Sequence, residues 1–147
     1  MTGFKLFLAA GVLLAAAGLS GCSSSGGEDN GGYFHTLAEE DTQTQQYFPG
    51  DLPIPQGAGI TFTKGEVAEG KKSSMLIYET EASMAALGTT YQKYVREKKL
   101  ELETEIVDNQ NILINGKVSG SYSYSIIGSS SESKPGASEI IVTWIVN

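Results

Sequence analysis

Few side chains in this sequence have the type and setting to do chemistry. Cys22 is the only cysteine and His35 the only histidine in the chain. A thiol is the strongest nucleophile among the side chains present, and a single cysteine excludes an intramolecular disulfide and a cysteine-based metal site. His35 lies in a polar stretch after a glycine-rich tract, which favours a solvated residue over a ligand or general base. Neither a Gly-x-Ser-x-Gly elbow nor a phosphate loop occurs, so we predict a protein that is not an enzyme and needs no cofactor.

Three glutamates alternate along a predicted strand. Glu101, Glu103 and Glu105 would point to one side of it, because side chains alternate with period two. Carboxylates on one face suit a hard cation such as calcium, with help from a following loop. Successive same-face positions are about 7 Å apart, too far to share an ion, so a solvated sheet face is the favoured interpretation and no metal is predicted. The loop residues that could help are Asp108, Asn109 and Asn111.

Aromatic side chains offer the best candidate ligand site, ahead of the long serine-rich loop over residues 128–137. Tyr122, Tyr124 and Trp144 fall at alternating positions of predicted strands, and aromatic side chains often line binding grooves. They also suit the core, which is the favoured interpretation. If the single helix leaves a sheet face open, this aromatic face becomes the candidate binding site.

The chain begins with a segment typical of export. Residues 6–19 are 14 residues without a charged or polar side chain, preceded by Lys5. Spanning a bilayer takes about 20 apolar residues, whereas the apolar part of a signal peptide has about 7–15. We therefore expect residues 1–21 to be a signal peptide.

The segment ends in Leu19-Ser20-Gly21-Cys22, which resembles the lipobox of bacterial lipoproteins. The resemblance implies cleavage between Gly21 and Cys22 and a diacylglyceryl group on the Cys22 thiol, often with a further acyl chain on the new amino group. Two or three acyl chains anchor a protein to a membrane stably, whereas one binds only reversibly. The implied membrane partner is thus held through lipid on Cys22.

The same resemblance implies a location in the cell envelope. Lipoproteins with serine directly after the cysteine, as at Ser23, usually reach the outer membrane of two-membrane bacteria and face the periplasm. In a one-membrane host the chain would sit on the outer face of the cell membrane.

Charge narrows the class of partner. Without residues 1–21 the chain has 9 basic and 17 acidic residues, a net charge of −8. Nucleic acid and anionic lipid headgroups need basic surfaces and are disfavoured. An envelope protein or a glycan remains as a possible partner. The first functional hypothesis is therefore a non-enzymatic binding or structural module, and the alternative is a small envelope hydrolase or lyase using Glu79 and Glu105, if their strands are neighbours.

Composition divides the exported part in two. Residues 22–46 are predicted to be a flexible lipidated tether, because they are polar and glycine-rich. Residues 47–147 are predicted to be a single domain. Its opening resembles that of a loose set of small uncharacterised bacterial lipoproteins with a small sheet-and-helix domain, and the matching residues are Asp51, Pro53, Pro55, Gly57 and Ala58.

Periodicity predicts an α+β fold, an antiparallel sheet of about six strands with one amphipathic helix in the order ββ-α-ββββ. The helix is expected over residues 81–99. Residues 74–78 are continuously apolar after their first serine, which suggests a strand covered on both faces. Asn115-Gly116 predicts a two-residue hairpin turn. Alternation of aromatic and serine side chains predicts a further strand over residues 118–126.

Overall fold

A computed structural model describes residues 33–40 and 47–147 of the chain. The predicted signal peptide, the Gly21–Cys22 cleavage site and the lipidation site at Cys22 lie outside these residues. In the described part, one helix packs on a six-stranded antiparallel sheet, which confirms the predicted α+β class and the ββ-α-ββββ order of its main elements.

The six strands of the main sheet lie in the spatial order β3-β4-β8-β7-β6-β5, and all neighbours are antiparallel. A small second sheet pairs β1 with β2. The elements, in chain order, are β1 (Phe34–Thr36), β2 (Pro53–Pro55), β3 (Gly59–Ala68), β4 (Lys71–Thr80), α1 (Met84–Glu97), β5 (Thr104–Val107), β6 (Ile112–Val118), β7 (Tyr122–Ser130) and β8 (Ser138–Val146).

The two faces of the main sheet have different environments. We call the face against which α1 packs the inner face and the opposite one the outer face. Even-numbered residues of β4, β7 and β8 point to the inner face, where they join the helix in one hydrophobic core. The helix contributes Met84, Leu87, Tyr91, Tyr94 and Val95 to that core.

Local chemistry defines both ends of α1. The Ser83 side chain accepts a hydrogen bond from the Ala86 backbone N–H at 3.2 Å, which satisfies one free donor of the first turn. Arg96 lies in the last turn, where a cation is favoured by the helix dipole. Lys99 then adopts a φ of 53°, a left-handed conformation that ends the helix. The helix is shorter than the predicted range by three residues at its start and two at its end.

Residues assigned by sequence to the tether belong to the folded unit. Phe34–Thr36 pairs with β2, and a turn of 3₁₀ helix follows it over Leu37–Glu39. Leu37 is fully buried, and its backbone N–H donates to the Leu52 carbonyl at 2.8 Å. The packed part of the chain therefore already includes Phe34.

Tyrosine hydroxyls join this N-terminal part to the helix and the sheet. The hydroxyls of Tyr78 on β4 and Tyr91 on α1 are hydrogen-bonded to each other, and Tyr91 also donates to the Pro53 carbonyl at 3.0 Å. One turn further along the helix, Tyr94 donates to the Asp51 carboxylate at 3.0 Å. Burial raises the pKa of Tyr78, Tyr91 and Tyr94, so all three keep their protons and can donate.

The predicted hairpin turn at Asn115-Gly116 is wrong. Both residues lie inside β6, and the turn into β7 is instead made around Gly120, whose φ is 75°. Gly116 is needed for close approach, because a Cβ there would lie 1.8 Å from the Glu101 carbonyl oxygen. That carbonyl accepts a hydrogen bond from the Tyr124 hydroxyl at 2.7 Å, which holds the chain after the helix against the inner face.

Replacing Gly116 by alanine tests this close approach. The added methyl group cannot fit beside a hydrogen-bonded backbone carbonyl, and we expect the free energy of unfolding to fall by about 2–3 kcal/mol in urea denaturation. Gly59→Ala is the matched control, because a Cβ at this strand residue has no atom within 4 Å. Equal stability of the two variants would contradict the proposed packing.

Removing the Tyr91 hydroxyl tests the link between helix, sheet and N-terminal part. Tyr91→Phe leaves the buried Tyr78 hydroxyl and the Pro53 carbonyl each without this partner, and we expect a loss of about 1–3 kcal/mol in the free energy of unfolding. Tyr33→Phe serves as the control because Tyr33 is 81% exposed. A Tyr91→Phe protein as stable as the control variant would show that the hydroxyl chain contributes little.

Candidate functional site: the outer face of the main sheet

The predicted aromatic residues lie on the inner face. Tyr124 and Trp144 are buried, with 3% and 7% of their surface exposed, and Tyr122 is half-buried beside them. The Trp144 ring stacks on both tyrosines, with centroids 6.0 Å from Tyr122 and 5.5 Å from Tyr124. Burial raises the pKa of Tyr124 to about 12. The open sheet face is therefore not the aromatic one, and these rings form part of the core.

The three glutamates do not share a strand face, so that prediction is wrong. Only Glu105 lies in β5, and it accepts a hydrogen bond from the Gln92 side chain of the helix at 2.6 Å. Glu103 precedes the strand and pairs with Lys117 at 3.4 Å. Within residues 33–40 and 47–147, no group of three His, Cys, Asp or Glu side chains is placed to hold a metal ion.

Glu79 and Glu105 do not lie on neighbouring strands. Three strands separate β4 from β5 in the sheet, so the hypothesis of a carboxylate pair loses its geometric premise. Glu79 instead accepts hydrogen bonds from Ser131 and Ser133 of the serine-rich loop before β8. The hydrogen bond from Ser131, with a second from Ser133, lowers the pKa of Glu79. This carboxylate therefore fastens the loop to the sheet.

His35 is half-buried rather than solvated. Its Nε2 atom lies 2.6 Å from a Glu40 carboxylate oxygen, and its Nδ1 atom is buried without a hydrogen-bond partner. His35 and Glu40 flank the short 3₁₀ helix that contains the buried Leu37. The contact thus closes a local turn of the N-terminal part.

A polar cavity of about 770 Å³ lies where Tyr33 meets the ends of β3 and β4. Its charged groups already have partners, because Lys134 pairs with Glu81 at 3.2 Å and Glu79 binds the loop serines. The cavity is therefore lined by groups engaged in the fold.

The outer face carries a line of apolar side chains that was not predicted from the sequence. One apolar side chain from each of the six strands lies in direct cross-strand register with its neighbour, which forms a continuous line across the whole sheet. We call this line the outer row. Its members, from edge to edge, are Phe62, Ile77, Ile141, Ile127, Leu113 and Ile106.

The outer row is accessible in the described part of the chain. Phe62 is 42%, Ile127 41% and Ile106 51% exposed, and Met75 beside the row is 39% exposed. The helix and the N-terminal residues both pack on the inner face. The prediction that residues 74–78 are covered on both faces is therefore wrong, since Met75 and Ile77 point to the uncovered side.

Mostly polar residues border the outer row on both sides, with Met75 as the apolar exception. The next line across the sheet runs from Lys64 and Met75 through Thr143 and Ser125. On the opposite side the neighbours are Glu79, Glu139 and Ser129. A shallow depression of about 420 Å³ lies between Phe62, Met75 and Ile145. The face thus combines an apolar stripe with the Lys64–Glu66 pair on one side and two glutamates on the other.

Comparison with known proteins does not extend these observations: no family model matches the chain, and neither curated sequences nor solved structures give a significant match. Among the residues that the structure describes, no helix has the length and apolarity needed to cross a bilayer.

A pair of adjacent isoleucines tests the assignment of the two faces. Ile126 is fully buried on the inner face, whereas Ile127 belongs to the outer row. We expect Ile126→Thr to lower the free energy of unfolding by about 2–4 kcal/mol, because it leaves a cavity and buries a hydroxyl. Ile127→Thr should cost under about 1 kcal/mol at low protein concentration. Urea denaturation of both variants provides the measurement, and equal losses would contradict an uncovered outer face.

Proposed function

We propose that this chain is a lipid-anchored, non-enzymatic binding module of a bacterial envelope, and that the outer face of the sheet is its binding surface. The anchor in this proposal is the diacylglyceryl group on Cys22, supported by the lipobox resemblance of residues 19–22 and the apolar segment before them. Binding through a sheet face needs a preformed surface and no catalytic group.

The outer row is the observation that carries the proposal. Monomeric soluble proteins rarely leave large contiguous apolar patches in water, and those that do commonly use them for binding. Here six apolar side chains lie side by side across all six strands. Since the core is already formed on the inner face, folding of the chain does not require these side chains to be apolar.

The chemistry of the outer face favours a protein over a glycan as the partner. A glycan presents many hydroxyl groups, and a hydroxyl buried without a hydrogen-bond partner costs about 1–3 kcal/mol. The outer row offers only alkyl groups and one phenyl ring, so it cannot satisfy such groups. An apolar protein surface has no such requirement, and the acidic charge of the chain argues against nucleic acid.

The proposed location is the outer membrane facing the periplasm, on the strength of Ser23, or the outer face of the cell membrane in a one-membrane host. Eleven residues from Cys22 to Gly32 precede the described part of the chain. Even fully extended, they would span at most about 40 Å. Anchoring would therefore keep the domain close to the membrane surface.

Replacing Cys22 tests the anchor. In the host cell, we expect wild-type protein to incorporate labelled fatty acid and to sediment with membranes, and Cys22→Ser to lose both properties, because serine lacks the thiol that accepts the lipid. Ser25→Ala, three residues after the proposed lipid site, is the control and should behave as wild type. A Cys22→Ser protein that still carries labelled fatty acid would refute lipidation at this residue.

A further inference from the structure

We infer that the occupant of the outer face is a second copy of this chain, packed sheet against sheet about a two-fold axis that runs along the outer row. The inference rests on the proposed binding function and deepens it by naming the partner. It would place each residue of the outer row opposite the same residue of the other copy.

The size of the outer face suits one such interface. Six strands spaced about 4.8 Å apart span about 24 Å. The strands have 4 to 10 residues, and their mean length is about 27 Å. The face therefore measures about 650 Å² in projection, somewhat below the buried area of about 800 Å² per partner in a standard stable interface. Two sheets packing in this way lie about 10 Å apart with their strands within about 30° of one another.

The charges bordering the outer row are complementary under this symmetry. Lys64 is the charged residue next to the row on one side, with Glu66 one line further out, whereas Glu79 and Glu139 lie next to the row on the other side. A two-fold rotation about the row places the lysine side of one copy opposite the glutamate side of the other copy. Lys64 of one copy then faces the Gly59 end of β3 in the second copy. Glu79 of the second copy lies on the neighbouring strand β4, about 5 Å to the side.

Existing contacts of these two groups leave room for the new pair. The Ser131 and Ser133 hydroxyls both donate to Oε1 of Glu79, so they do not use its other carboxylate oxygen, Oε2. Lys64 pairs with Glu66 along its own strand at 2.6 Å, and the two side chains are 59% and 51% exposed. Exposed ion pairs contribute little stability, about 0–1 kcal/mol. The symmetry would form the Lys64–Glu79 contact twice, once for each copy.

The position of the N-terminal part agrees with two copies on one membrane. Tyr33 lies beside Gly59 and Glu79, on the β3–β4 side of the sheet. An axis along the outer row leaves both Tyr33 residues on that same side of the dimer. Both chains could therefore run from this side to the same membrane surface.

A photoreactive benzoylphenylalanine in place of Ile127 tests what covers the outer face. In cells expressing the full chain, irradiation should give a product of twice the chain mass, with the crosslink mapped by mass spectrometry to the outer row of the second copy. The control carries the same photoreactive group in place of Lys93, whose side chain is 68% exposed on the helix. The yield of the double-mass product at position 127 should be about ten-fold higher than at position 93.

Charge reversal tests the two-fold arrangement itself. Lys64→Glu should lower the yield of the double-mass product at least about three-fold, and the double variant Lys64→Glu with Glu79→Lys should restore it. Because Glu79 also holds the loop serines, the variant Ser131→Ala with Ser133→Ala is the control for loss of that contact, and its yield should equal that of the wild type. A drop that the double variant does not reverse, at unchanged membrane levels of protein and with an unchanged yield in the serine control, would overturn this register of packing.

The outcomes separate the inference from the proposed function. A product with a different protein would overturn the second-copy inference and leave the binding role intact. No product above the Lys93 control, with fatty-acid labelling of Cys22 retained, would overturn both the inference and binding through the outer face but not the anchor. Loss of labelling as well would remove the proposed function entirely.

Discussion

The hydrogen-bonded hydroxyls of Tyr78 and Tyr91 form the interaction on which the arrangement of the inner face depends. Both side chains are fully buried, and a buried hydroxyl needs a partner. The two hydroxyls satisfy each other, and Tyr91 continues to the Pro53 carbonyl. One short polar chain therefore connects the sheet, the helix and the N-terminal part. Because the helix and the N-terminal part both pack on the inner face of the sheet, no other element of the described chain is left to cover the outer face.

Because the core lies on the inner face alone, the apolar side chains of the outer row need a separate explanation. A strand with one wet face normally alternates apolar and polar residues. In β8, however, Ile141 and Ile145 point outward while Ile140, Val142 and Trp144 point inward. The outward isoleucines contribute nothing to the core on the inner face. Their neighbours on the outer face include Thr143 and Ser125, which are the polar residues expected on a solvent-exposed sheet face. An apolar line that crosses every strand therefore supports the proposed binding role of this face.

Periodicity along the chain was enough to predict the class, the helix and the order of the elements, because those depend on local spacing. It could not disclose the outer row, since that line exists only in the register between strands. The turn at Asn115-Gly116 failed for a related reason: Gly116 accommodates a carbonyl that is distant in sequence. A usable signal was present in residues 74–78, whose continuous apolar character indicated two apolar faces, but it did not say which face another element of the chain would cover.

The anchor and the open face make physical sense together. A protein with an apolar sheet face that diffuses freely risks indiscriminate association. A lipid on Cys22 would restrict the chain to one surface and to a narrow range of orientations, which raises its effective concentration towards partners on the same membrane. A contact of modest intrinsic affinity would then be sufficient, so the outer row need not be as apolar as a core. Its mixture of six apolar side chains with flanking lysine, threonine and glutamate is the composition expected of an interface that forms between anchored chains and separates without unfolding them.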